Sequence, residues 1–439
     1  MERREFIKLS AAAAALAGVS AAVPESKAQN GNPFFRCGNV KRNDPEVGLL
    51  GYGCMRWPLQ VDEDGRESIN QKEVNRLVDM AISHGVNYFD TAPVYHKGES
   101  ERATAEALLR YPREQWLLAT KLSNFSDCSY ENSVRMFRNS LSVFKTDYVD
   151  YYLLHSVKSA DDFKTRFEET GIMDFLLKER SEGHIRHLGF SFHGDNAAMD
   201  SVLALHPKYH WDFVQIQMNY LDWKQAGNAE YLYTRLYEMG IPIVIMEPLR
   251  GGELAKLPSV LAERLKTAEP DKSLASWAFR FAGSFPGILT VLSGMTYMDN
   301  LQENLRTYSE FKPLEKKEFE LLENVAQDLG DFNLVPCTGC QYCMPCPYGI
   351  DIPGVFRFYN RHVNAGTYVK SPDQENYARV RRRYLADYDK LVNRENQADH
   401  CISCGRCTRN CPQKIRIPRE LRRIDEYLEK VKREAWDKD

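Results

Sequence analysis

Short apolar runs alternate with stretches of helical periodicity eight times between Val47 and Leu305, and nothing else in the sequence narrows the architecture so far. The runs are Val47–Gly53, Asn87–Asp90, Trp116–Lys121, Tyr148–His155, His187–Ser191, Phe213–Gln217, Ile243–Met246 and Ile288–Leu292. Between them, Lys72–His84, Glu101–Leu109, Asn132–Phe144, Ile172–Glu182, Ala197–Leu205, Glu230–Met239 and Leu274–Phe281 repeat apolar residues at helical spacing. Most of the runs are apolar along their length, which marks strands buried on both faces in a parallel sheet covered by helices. Eight such units favour an α/β fold closed as a (β/α)8 TIM barrel, here over residues 40–315, rather than an open sheet. No G-x-G-x-x-G follows the first run, which argues against an open dinucleotide-binding sheet.

With 439 residues the chain is long enough for a second folded part. The alternation stops near Phe319, and Leu321–Leu329 reads as a last helix before a segment crowded with cysteine. One run is Cys337-Thr-Gly-Cys340-Gln-Tyr-Cys343-Met-Pro-Cys346-Pro347, the other Cys401-Ile-Ser-Cys404-Gly-Arg-Cys407-Thr-Arg-Asn-Cys411-Pro412. The second has the C-x2-C-x2-C-x3-C-P spacing that holds [4Fe–4S] clusters in bacterial two-cluster ferredoxins. The first has two residues, not three, before its Cys-Pro. Both continue as C-P-x-x-I-x-I-P, through Pro353 and Pro418, which marks them as duplicates.

Zinc and disulfides are the competing readings of these cysteines. Zinc sites usually draw paired cysteines from two loops and often recruit histidine, and only His400 adjoins these runs. Disulfides at such short spacing would be strained. Iron–sulfur is therefore favoured over both. Cys37, Cys54 and Cys128 stand alone and read as packing residues. Val355–Tyr359, Tyr377–Val392 and the charged stretch Arg419–Ala435 suggest a small α-helical two-cluster ferredoxin-like domain over 330–435.

A net charge of −3 with 27% charged residues gives no reason to invoke nucleic acid or an acidic membrane surface. Lysines and arginines at 379–383 and 419–433 fit either a docking patch or, as the favoured reading, solvated helix faces near anionic clusters. The N-terminus differs from the rest. Arg3-Arg4-Glu5-Phe6-Ile7-Lys8, an alanine-rich stretch Leu9–Val23 and Ser26-Lys27-Ala28 make a secretory signal of twin-arginine type over 1–28. The stretch is too short and weakly apolar for a stable membrane span. Export to the periplasm by that route, after folding, would let clusters be assembled in the cytoplasm first.

Catalytic groups of such barrels sit at the C-terminal ends of the strands. The second run ends Asp90-Thr-Ala-Pro-Val-Tyr95, the third Ala119-Thr-Lys121 and the fourth Leu153-Leu-His155. Asp90, Tyr95, Lys121 and His155 in this order resemble the catalytic tetrad of the aldo/keto reductase family. The resemblance spans Val47–Leu305, and the cysteine segment resembles the family's iron–sulfur-fused branch.

The resemblance implies reduction of a carbonyl by hydride from NAD(P). Tyr95 would supply the proton that the forming alkoxide needs. Because a tyrosine titrates near about 10, the Lys121 ammonium would lower it. Asp90 would hold Lys121, and His155 would orient the carbonyl oxygen. Ser191 and Gln215 match positions that grip the nicotinamide carboxamide. Phe192 replaces the asparagine usually paired with that serine, and Met246 stands where many members stack an aromatic. Pro248, Leu249, Gly251 and Gly252 resemble the loop over the pyrophosphate, and Gly294 and Asn304 the adenosine-side segment. Asn300 replaces the arginine that many members use for the 2′-phosphate, leaving NAD and NADP both open.

Together these features lead to an exported oxidoreductase acting on a small carbonyl or alcohol, exchanging electrons through two [4Fe–4S] clusters with a redox partner protein. By analogy with two-cluster ferredoxins, Cys337, Cys340, Cys343 and Cys411 hold one cluster and Cys401, Cys404, Cys407 and Cys346 the other. Free nicotinamide is not expected outside the cytoplasm, so a retained nicotinamide or a flavin would be needed. The rival is an electron-transfer protein whose barrel is only a scaffold or binding module; a zinc-stabilised interaction domain is a third possibility.

Overall fold

In the computed structural model the described residues are 47–224, 229–309, 311–369, 371 and 374–436. The signal-like segment 1–28, Cys37 and the expected start of the barrel at residue 40 lie outside them. The described residues divide into two compact units, and not at a single point: one comprises those of 47–248 and 276–320, the other those of 249–275 and 321–436.

The first unit is built on eight parallel strands closed into a barrel among the described residues. They are β1 (Leu50–Gly53), β4 (Tyr88–Asp90), β5 (Leu117–Leu122), β6 (Val149–Val157), β7 (Ile185–Phe192), β8 (Phe213–Gln217), β9 (Ile243–Met246) and β10 (Ile288–Ser293). Closure comes from β1, which pairs with both β10 (Leu50 beside Val291) and β4 (Tyr52 beside Phe89). Helices follow the strands as the periodicity predicts, for instance Gln71–Ser83 after β1 and Tyr130–Phe144 after β5.

Alternation along each strand sorts the side chains. Tyr88, Leu117, Ala119, Tyr151, Leu153, Phe213, Val244 and Leu289 form one buried cluster inside the barrel. Full burial of residues such as Leu153 and Val244 contributes about 1.5–3 kcal/mol each. The intervening residues face the helices: Tyr152 meets Phe137 edge-on at 5.0 Å, and Thr120 donates to Glu101 at 2.6 Å. The inner parity that buries Tyr88, Leu117–Ala119 and Tyr151–Leu153 next reaches Asp90, Lys121 and His155. A two-stranded hairpin, β2 (Leu59–Val61) with β3 (Glu67–Ile69), and helices Ser259–Ala268 and Met298–Ser309 are additions to the predicted elements.

The second unit is helical, with helices Ile352–Asn364, Tyr377–Leu391 and Ile417–Trp436 around a core that includes Phe356, Phe358, Tyr384, Tyr388, Leu421 and Ile424. Each cysteine run leads into one of these helices through its C-P-x-x-I-x-I-P segment. Ile350 and Ile352 of the first copy, and Ile415 and Ile417 of the second, are buried in this core. Pro353 and Pro418 fall in the first turn, where a missing N–H costs nothing. Asp351 caps the first of these helices by accepting from Gly354 N at 3.0 Å. Among the described residues no helix is long and apolar enough to cross a membrane.

Candidate functional site

The four residues expected at strand ends converge. Asp90 closes β4, Tyr95 opens the turn Tyr95–Gly98 behind it, and Lys121 and His155 lie on β5 and β6. Lys121 Nζ donates to Asp90 Oδ1 at 2.6 Å and to the Thr91 carbonyl at 2.8 Å. The same ammonium stands 4.8 Å from the centre of the Tyr95 ring, and the Tyr95 and His155 rings meet edge-on at 5.8 Å. All four side chains are buried. Burial pushes the Asp90 carboxyl above its ordinary value, while the Lys121 ammonium pulls it down. An ammonium and a carboxylate this deep hold each other in place, since removing either leaves an uncompensated charge.

His155 is aimed by an irregularity. β6 runs past it to Val157, but its register with β7 shifts between Leu154 and Val157, and Ser156 takes a φ of +59°. Such a bulge re-aims neighbouring side chains. Burial, and then the charges of Lys121, His193 and Arg166, hold the imidazole well below its ordinary titration range. The ring is therefore neutral and carries one N–H. Its Nδ1 lies 2.6 Å from Ser123 Oγ. With the serine hydroxyl donating to Nδ1, the ring proton sits on Nε2, the tautomer that can donate to a carbonyl oxygen.

Arg166 braces this arrangement by donating to the His155 carbonyl at 2.9 Å and to Asn124 Oδ1 at 3.1 Å. Its guanidinium lies 4.9 Å from the ring centre of Phe125, a half-exposed aromatic 5.0 Å from His155. Ser123, Phe125 and Arg166 were not singled out from sequence. Ser123 had a usable signal, two residues beyond Lys121 on the same parity; Arg166 had none, being brought in from a distant turn.

The residues expected to hold a nicotinamide are less uniform. Ser191 Oγ accepts from Ser156 N–H at 2.8 Å, keeping its own proton for another acceptor. Gln215 Oε1 is buried without a hydrogen-bond partner among the described residues. A primary carboxamide is the kind of donor that would satisfy it, so these two side chains fit a nicotinamide. Met246 is half-buried at the end of β9, Asn304 donates to Ser293 Oγ at 2.9 Å, and Gly294 lies beside Arg56. Pro248 ends its stretch of the barrel unit, whereas Leu249, Gly251 and Gly252 belong to the cysteine-bearing unit.

The two glycines differ. Both have positive φ, +68° and +96°. A Cβ on Gly251 would lie 2.4 Å from Thr338 Cα and 2.5 Å from its carbonyl oxygen, while one on Gly252 would meet nothing within 4 Å. Gly251 is thus shaped to the backbone beside Cys337.

None of the described cysteines forms a disulfide. Cys404 is exposed, and the other seven of the two runs are half-buried. Burial pushes the Cys337 thiol up to about 11, with Cys340 and Cys411 adding to the rise. It pushes Cys343 up to about 12, with Cys340, Cys337 and Cys411 adding. Burial also raises Cys407, helped by Cys401 and Cys404. The thiols fall into two neighbourhoods: Cys337, Cys340, Cys343 and Cys411 in one, Cys401, Cys404 and Cys407 in the other. Crowded thiols of this kind become thiolates when a cationic centre takes them, and an all-sulfur donor set suits an iron–sulfur cluster.

A parallel barrel with a lysine–aspartate pair, a tyrosine and a neutral histidine at its strand ends defines an oxidoreductase site, here joined to a unit of clustered thiols. Residues 49–327 match the aldo/keto reductase family and residues 336–416 match the 4Fe-4S dicluster domain. The chain belongs to the aldo/keto reductase family, and a 4Fe–4S dicluster domain follows its reductase part.

An uncharacterized oxidoreductase of Bacillus subtilis, YqkF, is 25% identical over 317 residues, covering 65% of this chain and 95% of that protein. The holo form of aldo-keto reductase AKR11C1 from Bacillus halodurans shares the fold with a TM-score of 0.51 at 24% identity, covering 64% of this chain and 93% of that one. An aldo/keto reductase from Klebsiella pneumoniae in complex with NADP and acetate does so with a TM-score of 0.54 at 20% identity, covering 67% and 95%.

Proposed function

We propose that this protein is an exported reductase that interconverts a small carbonyl compound and its alcohol, using a nicotinamide cofactor, and exchanges electrons through two [4Fe–4S] clusters. The observation that carries the reductase reading is the buried contact of Lys121 with Asp90 beneath the Tyr95 ring, with neutral His155 across from it. When bound, reduced nicotinamide supplies hydride to the carbonyl carbon. His155 donates from Nε2 to the carbonyl oxygen and fixes its position, Ser123 keeping the proton on that nitrogen. Tyr95 delivers its hydroxyl proton as the oxygen gains charge, and Lys121 stabilises the phenolate left behind. Asp90 holds Lys121 at that distance. Ser191 and Gln215 are the carboxamide contacts, and the NADP bound by the Klebsiella relative supports a nicotinamide here.

Cys337, Cys340, Cys343 and Cys411 would hold one cluster, which their mutual electrostatic influence supports, and Cys401, Cys404, Cys407 and Cys346 the other. The paired arginines at Arg3 and Arg4 support export by the twin-arginine route.

Anaerobic purification followed by metal, sulfide and cofactor analysis is the direct test. A brown protein with about eight iron and eight sulfide per chain is expected, and zinc without sulfide would overturn the cluster reading. Tyr95→Phe should lower carbonyl reduction by about 10²–10⁴-fold with the clusters intact; unchanged activity would leave the barrel as a scaffold. Arg3→Lys with Arg4→Lys should retain the protein in the cytoplasm, and undiminished export would remove the address.

A further inference from the structure

The two cysteine runs are near-duplicates in ligands but not in surroundings. From residue 335 to 358 the chain has one acidic residue, Asp351, and one cation, Arg357, whose charge reaches Cys337. From 400 to 423 it has seven lysines and arginines against a single acid, Glu420. Basic residues placed only to offset cluster charge would attend both quartets in similar number, because four thiolates bring the same charge to each. The asymmetry calls for another cause.

Its location points outward. Cys404 is the one exposed ligand among the eight, and the neighbouring Ile402 is 61% exposed, a large apolar side chain left in water. Arg406 and Arg409, one turn apart on the short helix Arg406–Asn410, are exposed, as are Arg416, Arg419 and Arg422 at the start of the final helix. Arg422 Nη2 donates to Ser403 Oγ at 2.9 Å, which ties that helix to the loop carrying Ile402 and Cys404. Of the nearby acids, Glu420 pairs with Arg423 at 2.8 Å, while Asp399 lies 3.8 Å from His400 on the other side of Cys401. An apolar residue beside the exposed ligand, collared by cations, is the layout of a transient docking surface, in which charge steers and a small dry centre seats the partner.

We propose that the face formed by the Cys401–Cys411 loop and the first turns of the final helix docks a small acidic one-electron carrier protein. This rests on the cluster reading above. One electron passes per encounter, the loaded protein losing it and the carrier being reduced by one, or the reverse.

The test uses the full-length, cluster-loaded protein, reduced and then mixed in stopped flow with the ferric EDTA anion or the hexaamminecobalt(III) cation as oxidant. Charge at an exposed port is screened over about 10 Å at 0.1 M salt. The anion-to-cation rate ratio should therefore fall about tenfold or more between low and high salt. Arg406→Glu with Arg409→Glu should abolish or invert that fall, with visible absorption and electron paramagnetic resonance showing the clusters retained. Arg406→Gln with Arg409→Gln should weaken the salt effect and serves if the reversed pair disturbs folding. A salt-independent ratio, or one that neither pair changes, overturns the docking surface while leaving the clusters standing. A reconstituted protein without iron and sulfide overturns the cluster reading instead, and the proposal with it.

Discussion

Replacing Gly251 and Gly252 separately by alanine distinguishes a close approach from ordinary turn strain. Both have a backbone that L-residues seldom adopt, so each alanine should cost about 1–2 kcal/mol. Only at position 251 does the new methyl run into backbone, at 2.4 Å from Thr338 Cα. Backbone cannot rotate away, so overpacking adds about 1–3 kcal/mol there. Gly251→Ala should therefore destabilise the cysteine-bearing unit by about 2–5 kcal/mol and Gly252→Ala by about 1–2 kcal/mol. A difference of one or two kcal/mol changes the ratio of closed to opened states by a factor of about 5–30. Because Thr338 adjoins Cys337, the assay is iron release to a chelator, followed by loss of visible absorption, with thermal unfolding in parallel. Equal release rates for the two variants would refute the claim that this loop is moulded to the first cysteine run.

Lys121→Met should cost about 3–5 kcal/mol by stranding the Asp90 carboxylate; adding Asp90→Asn should recover stability but not activity, measured by thermal unfolding and turnover. Ser123→Ala should lower kcat with little change in cofactor affinity, and nitrogen-15 NMR of the resting protein should show the His155 proton redistributed between its two nitrogens. The depressed titration of His155 has a sign. Folded protein keeps the ring neutral while unfolded chain binds a proton below about pH 6.5, so stability should fall as pH drops beneath that value, by at most about 1.4 kcal/mol per pH unit. His155→Gln should flatten that slope in pH-dependent unfolding.

The barrel strands and the tetrad positions were legible because the apolar runs mark the strands and their ends, with Asp90 and Lys121 continuing the inner parity of Tyr88 and Ala119 and Tyr95 following in the adjoining turn. His155 was legible by position but not by aim, because the bulge at Ser156 is set by pairing between β6 and β7. The hairpin Leu59–Val61 with Glu67–Ile69 escaped because its residues are mostly exposed and leave no alternation to read. Ser123 and Arg166 depend on contacts 32 and 11 residues away along the chain, which composition and local spacing do not record. Gly251 read as a turn glycine suited to a pyrophosphate, since its close neighbour Thr338 is remote in sequence. The cysteine spacing was the reverse case, a local pattern whose chemistry needs little context.

Residues 249–275 lie inside the reductase stretch of the chain yet group with the cysteine-bearing unit. They are tied to it by Gly251 against Thr338, by Asn364 donating to the Lys256 carbonyl at 2.7 Å, and by the Arg264–Asp328 ion pair. The reductase family match runs through these residues without a break, so the cysteine-bearing unit is completed by part of the reductase stretch as well as by the chain after Leu321. The same interleaving sets an order during synthesis, since Leu254, Leu261 and Leu265 emerge from the ribosome long before the residues beyond Leu321 that complete their unit. A chain stopped at Glu320 would lack Thr338, Asn364 and Asp328, the partners of this stretch, and should hold residues 249–275 less firmly than the full chain does.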